Sequence, residues 1–223
     1  RSTSMRVEMV MRIGKTIMLM MCTCVLGLTA CGEKTQDVKD ELAASETKSS
    51  ISVNKDGSIS STIVEDFVES YYDVEGLKSM IESSINTYKA ENTQAQIKLK
   101  SCKAKDGVAN VEIEFGDYQA YAGFTQEDFF VGTVKDANMA GYDLNVTLSA
   151  VSDAENGTIS KPELLGMGDS HVIIVENAEE QDAEPLRVNC YGEILYVGEG
   201  VTSVGKKSVN VSYSEGSKMI VFK

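Results

Sequence analysis

The triplet Lys-Asp-Gly occurs twice, at Lys55-Asp56-Gly57 and at Lys105-Asp106-Gly107, each time between segments whose apolar residues alternate. Glycine accepts the positive φ that a tight turn demands, and period-two alternation turns one face of a strand toward a core. Ile51 and Val53 precede the first triplet and Ile59 follows it. After the second, Val111, Ile113 and Phe115 oppose Asn110, Glu112 and Glu114. Two β-hairpins are therefore predicted, and they commit the chain to antiparallel sheet.

Between the hairpins, residues 73–92 (DVEGLKSMIESSINTYKAEN) carry Leu77, Ile81, Ile85 and Tyr88 at three- and four-residue steps, with Val74 and Met80 beside them. That spacing predicts an amphipathic helix, with Asp73 as its N-cap. A second, shorter helix is predicted from Thr125. There Asp128 completes a Thr-x-x-Asp capping box, Phe124 and Phe129 stand in the positions of a hydrophobic staple, and Phe130 and Val134 line one face. After Gly141 the sequence is mostly strand-like: LNVTLSAV, HVIIVE, LRVNCYGEILYVG, SVNVSY and KMIVFK. The predicted class is α+β, with antiparallel β-hairpins and sheet, two helices packed on it and a β-rich C-terminal half. Residues 51–223 read as one such domain, with the region around Gly141 as the alternative boundary. Strand and helix do not alternate regularly enough for a doubly wound solute-binding protein.

The N-terminal part differs in kind. Residues 17–30 (IMLMMCTCVLGLTA) are fourteen residues without a charge, short of the roughly 20 that a bilayer-crossing helix needs. With Arg12 and Lys15 just before it, the run has the proportions of a secretory h-region. Met5, Met9 and Met11 are alternative starts, Met11 giving the most compact signal. The run ends in Leu28-Thr29-Ala30-Cys31, an aliphatic residue, two small ones and a cysteine, followed by the polar Gly32-Glu33-Lys34.

This ending resembles the lipobox of bacterial lipoproteins. In that family the cysteine thiol is joined to a diacylglycerol, and a dedicated peptidase then cuts just before it. The resemblance implies loss of residues 1–30, a mature chain that begins at lipidated Cys31, and a place on the extracytoplasmic face of the cell membrane. An uncleaved anchor is the alternative. Residues 32–50 are polar and charged and bury too little to pack. With Cys31 they form a flexible tether reaching about 25 Å root-mean-square. Lipobox, acidic tether, hairpin–helix–hairpin and β-rich C-terminal half together resemble surface lipoproteins of Gram-positive gut bacteria such as clostridia, and only the lipobox is specific.

The chain carries a formal charge of −13. Removing residues 1–30 takes away Arg1, Arg6, Arg12 and Lys15 against a single acid, Glu8, so the mature part is more acidic still. Such a surface opposes nucleic-acid binding, which needs cations to displace phosphate counterions, and opposes a polybasic grip on anionic lipid. The lipoprotein resemblance implies that the membrane is reached instead through the lipid on Cys31. Cys22 and Cys24 leave with the signal, and Cys102 and Cys190 remain. One disulfide and two buried thiols are the alternatives, and burial as small hydrophobes is favoured.

Several motifs dissolve on inspection. Aligning Gly57 with the sixth position of an EF-hand loop puts Ser52 first and Ile63 twelfth, where acids are required. His171, the sole histidine, enters the strand HVIIVE beside Ser170, and strand neighbours point to opposite faces. Ser45-Glu46-Thr47-Lys48 and Ser203-Val204-Gly205-Lys206 match Ser-x-x-Lys without the companion motifs of that chemistry. Gly198-Glu199-Gly200 lacks the third glycine and the helix of a dinucleotide fingerprint. Glu112 and Glu114 share one strand face, whereas a glycosidase pair flanks its bond across a cleft. No catalytic set, metal-ligand spacing or cofactor motif emerges.

The aromatic stretch FGDYQAYAGFTQEDFF, residues 115–130, is the most informative. Its phenylalanines read as core, and Tyr118 and Tyr121 as a candidate binding edge. The resulting expectation is a membrane-anchored, non-catalytic binding or interaction module. The alternatives are an envelope enzyme acting on cell wall or glycan, and an accessory subunit of an envelope complex.

Overall fold

The computed structural model describes residues 48–68, 73–152, 157–176 and 183–223. In chain order, β1 (Ser50–Val53) and β2 (Ile59–Asp66) precede α1 (Val74–Glu91), and β3 (Ile97–Lys105) and β4 (Val108–Phe115) follow it. Next come α2 (Tyr118–Thr125), β5 (Asp128–Thr133), α3 (Val134–Met139), β6 (Leu148–Ala150), β7 (Thr158–Ile159), α4 (Lys161–Gly166) and β8 (His171–Glu176). Five strands close the order: β9 (Leu186–Cys190), β10 (Ile194–Val197), β11 (Val201–Gly205), β12 (Ser208–Val211) and β13 (Ser217–Phe222). The class is α+β and β-rich, as the alternation in the sequence predicts.

Both Lys-Asp-Gly triplets sit at hairpin ends, yet they make different turns. Lys105 pairs with Val108 across a two-residue loop in which Asp106 and Gly107 have φ of 53° and 79°, the geometry of a type I′ turn. Val53 pairs with Ile59 across a five-residue loop with Gly57 at φ 87°. There the Asp56 carboxylate accepts the Ser58 N–H at 3.0 Å and the Ser58 hydroxyl at 2.7 Å. Asp56 thus serves the turn, as an Asx-type residue does.

The strands form two sheets, β11-β12-β9-β1-β2-β4-β3 and β5-β8-β13-β10-β6-β7. Among the described residues the strand pairings are antiparallel except β1 with β9, where Ile51 and Val53 lie beside Val188 and Cys190. Strands from both sides of Gly141 share each sheet, and Gly141 itself, at φ 86°, ends the turn after α3. The principal core lies between the sheets. Ile51, Ile59, Val111, Ile113, Phe115, Val188 and Val209 come from the first sheet, and Ile173, Val175, Ile220 and Phe222 from the second. Ile81 and Ile85 of α1 join it beside Ile97 of β3.

The second sheet is apolar on both faces. Val172, Ile174, Met219 and Val221 point the other way, into a smaller cluster with Val134, Ala137 and Leu164 of the short helices. Continuous apolar runs such as HVIIVE and KMIVFK are the sequence signature of that two-sided burial. The layers are therefore sheet, sheet and helices. Each fully buried aliphatic side chain contributes roughly 1.5–3 kcal/mol.

The helix predicted from Thr125 is a correction. Asp117 caps α2 by accepting the Ala120 N–H at 2.7 Å, and Thr125 is the last residue of that helix. Gln126, at φ 59°, ends it in the left-handed region, and Asp128 opens a strand instead. Phe129 enters the inter-sheet core and Phe130 the helical-side cluster. Adjacent aromatics that must face opposite layers need a period of two, which only a strand supplies. The capping box lies one motif later, where Thr133 and Asp136 bond reciprocally at the start of α3.

The segment LRVNCYGEILYVG is also split, β9 joining the first sheet and β10 the second. Tyr191-Gly192-Glu193 carries the chain across. A Cβ on Gly192 would collide with the backbone carbonyl of Lys223, which accepts the Glu193 N–H at 2.9 Å. Gly192→Ala is expected to cost about 1–3 kcal/mol, the range for inserting atoms where none fit. The urea midpoint reads the effect, and an unchanged midpoint would mean that the end of β13 yields freely.

Candidate functional site

α2 is placed by its Asp117 cap and by the aromatic side chains it buries. Tyr121 is 3% exposed, with its ring edge-on to Phe115 at 5.2 Å and to Phe129 at 5.0 Å. Its hydroxyl donates to the Glu127 carboxylate at 2.5 Å. Burial, and then the Glu127 charge, push the phenol well above its ordinary value. Tyr118 is half-buried, edge-on to Phe130 at 5.2 Å, and touches both apolar clusters. The two tyrosines do not form one exposed edge. Tyr121 lines instead a partly open cavity.

That cavity, of about 60 Å³, lies between the inner face of the first sheet and α2. Ile51, Ile113, Phe115 and Phe124 supply its apolar wall, and Ser61, Glu65, Tyr121, Thr125, Glu127 and Tyr213 its polar one. The inward row of β2 explains the mixture. It runs Ile59, Ser61, Ile63, Glu65, so a hydroxyl and a carboxylate occupy positions that neighbouring strands give to aliphatics. Ser61 is 8% exposed and its hydroxyl has no hydrogen-bond partner among the described residues. Neither Ser61 nor Glu65 stood out in the sequence. The signal was there: alternation broken by polar residues on the side that Ile59 and Ile63 mark as core.

The other reactive side chains lie apart. Cys102 and Cys190 are free thiols. Burial pushes Cys190 up to about 12, and burial, followed by the nearby Glu75 charge, raises Cys102. A thiol so shifted is almost wholly protonated at neutral pH and a poor nucleophile. His171 packs against the Tyr191 ring at 5.6 Å and the Phe222 ring at 5.4 Å. Glu114 pairs with Lys100 at 3.2 Å on the outer face of the first sheet. The Ser203 hydroxyl donates to the Gly205 carbonyl of its own strand. Among the described residues no three acids, histidines or cysteines gather as a metal site, and no helix is long and apolar enough to cross a membrane.

Leu28, Thr29, Ala30 and Cys31, the lipobox-like residues, lie outside the described residues. Comparison of the chain with protein-family models, with curated proteins and with solved structures finds no match.

Proposed function

We propose that this chain is a lipid-anchored, extracytoplasmic binding module, held to the membrane through Cys31 and carrying its ligand site in the cavity between the first sheet and α2. The sequence Leu28-Thr29-Ala30-Cys31 at the end of an uncharged run supports the anchor. The observation that carries the binding role is the Ser61 hydroxyl, buried without a partner among the described residues at the wall of the cavity. Leaving a buried hydroxyl unsatisfied costs about 1–3 kcal/mol. A fold that keeps one at the wall of a cavity has a use for what enters there.

Cys31→Ser tests the anchor. Acyl labelling is expected to vanish and the protein to pass from the membrane fraction to the soluble one; unchanged retention would overturn the lipoprotein reading. A second reading, an accessory subunit of an envelope complex, draws on Met139, Tyr142 and Leu165. These are 74%, 39% and 39% exposed, in or beside α3 and α4. A stable co-purifying envelope protein that is lost on Met139→Asp would favour it.

A further inference from the structure

The registers of the first sheet line up a continuous polar row on its outer face. Ser208 of β12 stands opposite Asn189 of β9, Asn189 beside Ser52 of β1, and Ser52 opposite Ser60 of β2. Glu114 of β4 and Lys98 of β3 extend the row to the far edge. Strand residues alternate in direction, so all six point away from the core that Ile51, Ile59, Ile113 and Val188 mark on the other face. A second row runs beside it through Asn210, Arg187, Ser50 and Thr62. α1 and α2 bury their apolar residues with the inner rows, and α3 and α4 theirs against the second sheet. Among the described residues, then, no helix packs its apolar side on the outer rows.

These rows differ from the rest of a chain that carries a formal charge of −13. In the positions that β12, β9, β1 and β2 give them, Arg187 is the one charge, and every other residue is serine, threonine or asparagine. Asn189 ties its neighbours together, accepting the Ser208 hydroxyl at 2.8 Å and donating to Ser52 Oγ at 3.1 Å. Arg187 Nε donates to Asn210 Oδ1 at 2.9 Å, and Ser60 Oγ accepts from Asn54 Nδ2 at 3.1 Å. Short side chains linked in this way are pre-organised and lose little freedom when a ligand lies on them. Among the described residues, hydrogen-bonding capacity is left over. Ser52 and Ser60 accept in these bonds and each keeps a hydroxyl proton, Asn189 keeps a second N–H, and Ser208 keeps acceptor lone pairs.

What the face lacks narrows the partner. Protein interfaces are anchored by apolar and aromatic side chains at their centre, and none stands in these rows. An anionic polymer meets a net-negative chain and a single arginine that is already bonded. A cation finds no carboxylate on the four strands' outward positions, and Glu114, further along, is paired with Lys100 at 3.2 Å. A neutral polymer whose hydroxyls both donate and accept matches a neutral array that does the same. With strands about 4.8 Å apart, the neutral part of the first row spans about 14 Å, too long for one sugar ring. We propose that the outer face of the first sheet binds a neutral glycan chain, laid across the strands along Ser60, Ser52, Asn189 and Ser208. Its oxygens accept from Ser60, Ser52 and Asn189, and one of its hydroxyls donates to Ser208. No residue of this row lines the cavity, so this is a second site.

The test is an NMR titration of the full chain in a phosphocholine detergent, followed at the side-chain amides of Asn189 and Asn210 and the backbone amides of Ser52 and Ser60. The probes are cellohexaose, chitohexaose, glucose and the anionic hexagalacturonate. Saturable shifts with a Kd on the order of 1 mM are expected for a neutral hexamer. Glucose should bind at least about tenfold more weakly, because one ring cannot engage the whole row at once. Hexagalacturonate should also bind at least about tenfold more weakly, repelled by the chain's net charge. Ser52→Ala removes one oxygen from the middle of the row and should weaken the hexamer about threefold to tenfold, the loss of one hydrogen bond. Ser52→Lys lays a long charged side chain across the row and should abolish binding, with circular dichroism confirming the fold.

Binding of either neutral hexamer supports the proposal; cellohexaose alone assigns a plain hydroxyl sugar, and chitohexaose alone an acetamido sugar. Matching affinity for hexagalacturonate would overturn the neutral assignment, and matching affinity for glucose would overturn the extended track. Shifts at Tyr121 and Thr125 in place of the row amides would overturn this site and move the ligand to the cavity. Row shifts that depend on protein concentration without sugar would overturn it in favour of a second copy of the chain. Unchanged hexamer affinity in both Ser52 variants, or no saturable shift with either neutral hexamer, would overturn it outright. Failure of the glycan site leaves the cavity's binding role and the Cys31 anchor standing.

Discussion

Phe115→Ala is expected to lower the free energy of unfolding by about 3–5 kcal/mol, the range for deleting a buried phenylalanine and leaving its cavity. Phe115 is 1% exposed and ends β4, with Ile59 of β2 and Ile97 of β3 as its register partners. Its ring meets Tyr121 edge-on at 5.2 Å and lies tilted against Phe124 at 5.8 Å. One side chain thus joins three strands of the first sheet to α2. Its loss also enlarges the space between sheet and helix, because Phe115 forms part of the cavity wall. Phe115→Leu keeps most of the volume and should cost less than half as much. Guanidinium titrations of the three proteins measure the difference. A loss below about 1 kcal/mol in Phe115→Ala would mean that α2 collapses into the gap, which the spread at fixed chemistry allows for a compliant site.

The parts of the fold that were legible are those in which local chemistry and tertiary demand agree. Asp73 caps α1 by accepting the Glu75 and Gly76 N–H groups, as its place before an amphipathic run requires. Gly57 and Gly107 take positive φ at the hairpin ends for the same reason. Where two local signals compete, tertiary packing decides. Thr125 and Asp128 satisfy a capping pattern, yet Asp117 offers a cap eight residues before Thr125, and α2 buries Ala120, Tyr121 and Phe124 from it. The fold places Thr125 at the end of that helix, where its hydroxyl donates back to the Tyr121 carbonyl.

Long-range pairing is hidden for a different reason. The parallel contact of β1 with β9 joins Ile51 to Val188, far apart in sequence, and nothing local in either strand names the other. The split of β9 from β10 likewise depends on where Gly192 lets the backbone approach Lys223. The candidate site sits between these cases. Tyr121 was marked by its aromatic neighbourhood, and the structure puts its hydroxyl, rather than an exposed ring, at the cavity. Ser61 and Glu65 required knowing that the inward row of β2 faces another layer across its whole length.

The second large effect is a loss of stability in alkali. Cys190 lies in β9 beside Val53, 5% exposed, and burial holds its thiol up to about 12 against an ordinary value of 9.0. The Tyr121 phenol is raised in the same direction, by burial and then by the Glu127 charge. Both groups stay protonated in the folded chain at pH values where the unfolded chain releases them. Their contribution is therefore complete below the unfolded values and is lost as pH rises from there through the folded ones. For Cys190 the window runs from 9.0 to about 12. Within it each such group removes up to about 1.4 kcal/mol per pH unit. Urea midpoints measured from about pH 8 to about pH 11 should fall steeply for the wild type and less steeply for Cys190→Ala, which has no thiol to ionise. Cys190→Ala is less stable than the wild type at the neutral end, because it leaves a small void in β9, so the two curves converge as the pH rises. Tyr121→Phe removes the phenol proton and should flatten the curve independently. Parallel curves for wild type and Cys190→Ala would mean that the folded protein lets this thiol ionise as freely as the unfolded chain does, and the β1–β9 contact would then be open to water.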